Sequence, residues 1–166
     1  MSEDVPKAVA TAFDRHEAYE RSGDQFVLTT VAFDGEIAVV GTEERTRYLV
    51  AVHAPTLQAA TADHVGEAVA SGWLETLERR LEEAPKATRA SVDLVDFGVE
   101  QLGDQVRVEY TFEWGGPDRA AEIAKTFVEY VEGTYVEGVV PGYEYEPPVS
   151  DLIAGASQGS EGGTPL

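Results

Sequence analysis

Between Gln105 and Trp114 the chain alternates without a break. Val106, Val108, Tyr110, Phe112 and Trp114 take one parity, and Arg107, Glu109, Thr111 and Glu113 take the other. A period of two is that of a β-strand with one face in a core and the other in water. Such a strand needs antiparallel neighbours and a covering layer on its apolar face. The rest of the chain has to supply both.

Four further strands are predicted. Phe26 to Phe33 is a β-branched and aromatic run, Asp34-Gly35 reads as a hairpin turn, and Ile37 to Val40 returns. Thr46 to His53 sets Tyr48, Val50 and Val52 on one face, and Pro55 closes it. Ala90 to Glu100 changes apolar phase between Leu94 and Val95, which points to a β-bulge, and Gly103-Asp104 turns the chain into the alternating strand.

Helices make up the covering layer. Val5, Val9, Ala12, Phe13, His16 and Tyr19 recur at helical spacing over residues 5–20, until Ser22-Gly23-Asp24 ends the run. A second helix is expected over 61–84, with Val65, Val69, Trp73, Leu77 and Leu81 four apart. Thr61 or Asp63 would cap it, and Pro85 would stop it. A third starts at Gly116-Pro117-Asp118 and buries Ala120, Ile123, Ala124, Phe127 and Val131.

The expected order is α-β-β-β-α-β-β-α. That is an α+β fold with one antiparallel sheet of about five strands against helices. A chain of 166 residues suits one domain, placed at 1–140. Residues 141–166, rich in Pro, Gly and Ser, form a C-terminal arm whose last ten residues are expected to be mobile. Over roughly residues 5–138 this order resembles the type III secretion chaperone-like fold, a small acidic α+β unit that commonly dimerises.

Charge narrows the classes of partner. Twelve Lys and Arg stand against 31 Asp and Glu, for a net charge of −19. Nucleic acid is excluded as a partner, because its binding rests on cations that neutralise phosphates. Anionic membrane surfaces are disfavoured in the same way, and no apolar run approaches the ~20 residues of a membrane span. The acidity has three readings: adaptation to concentrated salt, an acidic docking face, or disorder. Its spread along a patterned chain favours the first, since the Debye length falls from about 10 Å at 0.1 M salt to about 3 Å at 1 M.

Cysteine is absent, which removes disulfides, thiolate ligands and cysteine nucleophiles. The N-terminus MSEDVPKAVA lacks the apolar stretch of a signal peptide, so a cytoplasmic protein is expected. His16, His53 and His64 share no helical i,i+4 spacing, and no metal site or cofactor motif is read. Asp93 and Asp96, beside the suspected bulge, could turn partly inward. Gly115-Gly116 before a helix could hold an anion, but Asp118 and the net charge oppose it.

The block AAEIAKTFVEYVEGTYVEGVVPGYEYEPP between Arg119 and Val149 and, less strongly, the stretch from Ala87 to Ser91 resemble a family of small acidic proteins of halophilic archaea with no function assigned. The resemblance implies salt adaptation and transfers no site residue.

Within that block Tyr130-Val-Glu-Gly133 is repeated as Tyr135-Val-Glu-Gly138. Glycine costs roughly 1 kcal/mol inside a helix. Either the helix ends near Gly133, or it packs so closely that glycine is required. The segment beyond reads as an extended arm.

Two functions follow. The first is a protein-interaction or adaptor module, a homodimer among its forms, with Tyr135, Tyr143 and Tyr145 as contact residues. The alternative is a small-molecule-binding protein or enzyme with a pocket between sheet and helices, walled by Trp73, Tyr110, Phe112 and Trp114.

Overall fold

The computed structural model describes residues 5–41 and 45–162. The alternating strand forms as read. It is β6, Gln105–Trp114, with Val106, Val108, Tyr110 and Phe112 buried. The other strands are β1 (Tyr19–Ser22), β2 (Gln25–Leu28), β3 (Asp34–Gly41), β4 (Thr46–Pro55) and β5 (Leu94–Leu102). All pairs are antiparallel, in the order β1-β2-β3-β4-β6-β5. The bulge expected in β5 is present as a register shift between Leu94 and Asp96.

The helices are α1 (Lys7–Arg15), α2 (Glu67–Leu81), α3 (Pro117–Glu137) and α4 (Val149–Gly162), with a 3-10 turn at Ala84–Ala87. Helix α3 runs over the core face of the sheet. There Phe127 meets the rings of Tyr110 and Phe112 at 5.0 and 5.5 Å. Phe13 of α1 stacks on Phe26 of β2 at 4.6 Å. The opposite sheet face is mixed, with Leu49 and Ala51 beside polar residues and Arg47 donating to Glu113 at 2.7 Å across β4 and β6. Thr111 on that face is nonetheless buried, between its ladder neighbours Leu49 and Asp96.

The sheet has six strands, one more than expected, and the helix predicted over 5–20 stops at Arg15. Tyr19 opens β1 instead, and Gly23, at φ +65°, makes the β1–β2 hairpin. A single aromatic at helical spacing fits either element. Its partners decide: the Tyr19 hydroxyl donates to Ala121 O at 2.7 Å, and its ring sits edge-on to Phe13.

The strand predicted over 26–33 ends at Leu28, and Asp34-Gly35 is no turn. Gly35 lies in the ladder opposite Leu28 and Val52. A Cβ on Gly35 would stand 2.9 Å from Val128 Cγ1, so this glycine gives α3 its seat on the sheet.

Helix α2 begins at Glu67, capped by Gly66 rather than by Thr61 or Asp63. Its last carbonyls find unusual partners: the Tyr130 hydroxyl donates to Arg80 O (2.9 Å) and the Tyr110 hydroxyl to Leu81 O (2.7 Å). The bond to Leu81 O satisfies an acceptor that a helix end leaves open. Arg80 O also accepts the Glu83 N–H at 3.1 Å, and the two tyrosines tie α2 to α3 and the sheet.

Beyond residue 138 the chain is more regular than its composition suggests. A fourth helix starts at Val149, which is buried. The element order therefore carries one strand and one helix more than the chaperone-like order. Of the tail expected to be mobile, residues 163–166 lie outside the described residues.

Candidate binding groove

Helices α2 and α3 do not close on each other along their full length. On α2 the residues Ala68, Gly72, Thr76 and Arg80 fall four apart and line an open groove with Val69, Trp73 and Leu77. Thr134 and Gly138 form the α3 side, and Val140, the residue before the arm, closes one end. The cavity there is about 290 Å³. A second cavity of about 330 Å³ continues past Arg80, with Thr126, Glu129, Tyr130, Gly133 and Glu137 in its lining. Arg80 and Thr134 belong to both, and the Arg80–Glu137 ion pair stands between them.

Space is left here because the facing side chains are small. A Cβ on Gly72 or on Gly133 would meet no atom of the described residues within 4 Å. Helix α3 passes straight through Gly133 and ends at Glu137 with Gly138 as its cap, so neither explanation offered for the tandem glycines applies to Gly133. Glycine here is needed neither to stop the helix nor to let it pack.

Trp73 forms part of the wall and is 7% exposed. Its ring lies edge-on to Tyr135 at 5.5 Å, and its buried indole N–H has no acceptor among the described residues. Tyr48 Oη is a second buried atom without a partner among the described residues, in the sheet core, where desolvation pushes the phenol up to about 12.

The arm that follows Val140 is clasped to its own domain. Thr61 Oγ1 donates to Glu144 O at 2.6 Å, Asp63 Oδ2 accepts from Glu144 N–H at 2.8 Å, and Glu146 N–H donates to Ala60 O at 2.9 Å. The two side chains read as helix caps therefore hold the arm. The Tyr145 hydroxyl donates to Val140 O at 2.6 Å, fixing the residue at the groove's end.

The expected site residues are not gathered in one place. Tyr143 and Tyr145 lie half-buried on the arm with rings 6.4 Å apart. Tyr135 is fully buried below them in the chain, its hydroxyl donating to Pro55 O at 2.9 Å. Burial raises its phenol above the ordinary range. Of the four aromatics read as pocket walls, Trp73 lines the groove. Tyr110 and Phe112 are packed into the sheet core, and Trp114 is half-buried at the end of β6.

Asp93 and Asp96 are exposed; the bulge does not turn them inward. Among the described residues no group of three or more His, Cys, Asp or Glu is arranged to hold a metal ion. No helix among them is long and apolar enough to cross a membrane.

Sequence reasoning missed Glu132. Its Oε2 accepts the Phe33 N–H at 2.7 Å, and burial raises its carboxyl while that bond and one from the Ala32 backbone lower it. It anchors the loop between β2 and β3, and only the exception of a half-buried acid within a helical apolar stripe could have marked it.

A family described as being of unknown function matches residues 14–155. The chain belongs to that family, DUF5813. The DUF5813 match takes in both groove walls and the clasped arm. No curated protein and no solved structure matches the chain.

Proposed function

We propose that this DUF5813 chain is a salt-adapted protein-interaction module of adaptor type, and that it receives its partner in the α2–α3 groove. The observation that carries this is the pair of mid-helix glycines, Gly72 and Gly133, which the fold itself does not use. Each weakens its helix by roughly 1 kcal/mol relative to alanine. Open space at such positions is what a close approach by another molecule requires. The arm contributes by fixing Val140, and Tyr143 and Tyr145 stand next to that end as contact residues.

Gly72→Leu fills the groove at a position with no internal neighbour, so the variant should fold. Gly98→Leu, on β5 where a Cβ also meets nothing, is the control. Affinity capture from source-cell extract should yield a stoichiometric partner with the native chain and the control but not with Gly72→Leu. Equal capture by all three would refute the groove as the docking site.

The unpartnered Trp73 N–H favours a second reading, a small ligand with a hydrogen-bond acceptor in the 290 Å³ cavity. Release of a stoichiometric small molecule on denaturing the purified protein would select it.

Salt adaptation has its own test. With a net charge of −19, the melting temperature should increase strongly from 0.1 M to multimolar KCl as screening relieves repulsion. A melting temperature indifferent to salt would reject it.

A further inference from the structure

We infer that the occupant of the groove is an amphipathic helix of a partner protein, apolar on the face it buries and flanked by Lys or Arg. The inference rests on the groove reading above and adds the shape and charge of what fills it.

Shape comes from spacing. Ala68, Gly72 and Thr76 are four apart, so they form one i±4 row along α2. A row of small side chains is a shallow channel between ridges, and the ridge of another helix packs into such a channel. From Ala68 to Thr76 the row is about 12 Å long, roughly two helical turns, and Arg80 stands one turn further on. An amphipathic helix anchored by apolar side chains one turn apart is a recurrent way of filling a groove of this kind. Val69, 40% exposed at its lip, and the Trp73 wall are the apolar surfaces it would cover.

Charge decides among helices. After Lys125 the chain has no Lys or Arg, so the C-terminal half of α3 and the arm carry only acids: Glu129, Glu132, Glu137, Glu144, Glu146, Asp151 and Glu161. Glu129 and Glu137 line the second cavity, where they pair with Lys125 and Arg80. A second copy of this chain would bring the same excess of acid against it and is disfavoured. A helix with basic flanks meets opposite charge along the C-terminal half of α3 and the arm, which also speeds encounter.

The probe is a synthetic amphipathic helix of leucine and lysine, about 18 residues or ~27 Å long. The control peptide has glutamate at every lysine position. Trp114→Phe leaves Trp73 as the single indole, so its fluorescence reports on the groove wall. The lysine peptide should produce a saturable Trp73 change. Its affinity should fall about tenfold or more in Gly72→Leu and by a smaller factor in Gly72→Ala, with circular dichroism confirming that both variants fold. The glutamate peptide should bind at least about tenfold more weakly than the lysine peptide.

Equal affinity for Gly72→Leu and the native chain would place the peptide elsewhere on the acidic surface and overturn the inference. Equal affinity for the two peptides would overturn the basic class while leaving the groove reading intact. Absence of any Trp73 change would overturn the helix, and the extract capture then judges the groove independently.

Discussion

Helix α3 has two contrasting sides. Toward the sheet it is seated so closely that Gly35 has no room for a methyl group beside Val128. Toward α2 it stands off, and a Cβ on Gly133 or Gly72 would meet no atom of the described residues within 4 Å. The same residue type thus serves opposite ends within one domain. On one side glycine allows contact within the protein, and on the other it keeps a surface open at the expense of helix stability. A glycine that the fold needs and one that it tolerates look alike until the neighbours are known.

The comparison can be broken or sharpened by substitution. The largest effect is expected on the sheet side, where Phe127, fully buried, meets Tyr110 and Phe112. Phe127→Ala should destabilise by ~3–5 kcal/mol in urea unfolding, at constant slope. A loss under ~1 kcal/mol would mean that this side is as loosely packed as the other.

Next comes Gly35→Ala. The added Cβ has to displace Val128, a stiff β-branched side chain, and should cost ~1–3 kcal/mol. Pairing it with Val128→Ala should restore part of the loss, which a double-mutant cycle would record. Additive losses would show that the two residues do not touch.

Thr61→Val tests how the groove's end is held. It removes the hydroxyl that donates to Glu144 O and accepts from Asp63 N–H, and should cost ~0.5–1.5 kcal/mol. Amide exchange should quicken at Glu144 and Glu146 rather than in the sheet. Quickening spread evenly over the chain would point to global loss instead of a loosened arm.

The smallest effects have the opposite sign. Gly72→Ala and Gly133→Ala should each stabilise by ~0.5–1 kcal/mol, since the methyl group meets nothing and the helix gains propensity. A destabilised variant at either position would show that the space is occupied and would remove the contrast between the two sides of α3.

Much of the fold was legible along the chain. Alternation located β6 to the residue, because a strand half in water leaves a period that no other element imitates. The β5 bulge was visible as a phase slip. Tyr19 was misassigned because one aromatic fits both periods, and Asp34-Gly35 because a turn dipeptide and a close-contact glycine have the same composition. The candidate site was barely legible. Trp73 was marked as a wall, but Tyr110 and Phe112 carry the same signal and lie in the core.

By itself the sequence determined the class of the protein: an acidic α+β domain with a one-sided antiparallel sheet. Those properties follow from composition and from short-range periodicity, which are read residue by residue. Only the tertiary structure decided that Thr61 and Asp63 clasp the arm rather than cap a helix, and that Tyr135 is core while Tyr143 and Tyr145 are half-buried. It alone separated Gly35 from Gly72 and Gly133. The physical reason is the same in each case: a hydrogen-bonding group or an absent side chain acquires its role from atoms brought against it by distant parts of the chain.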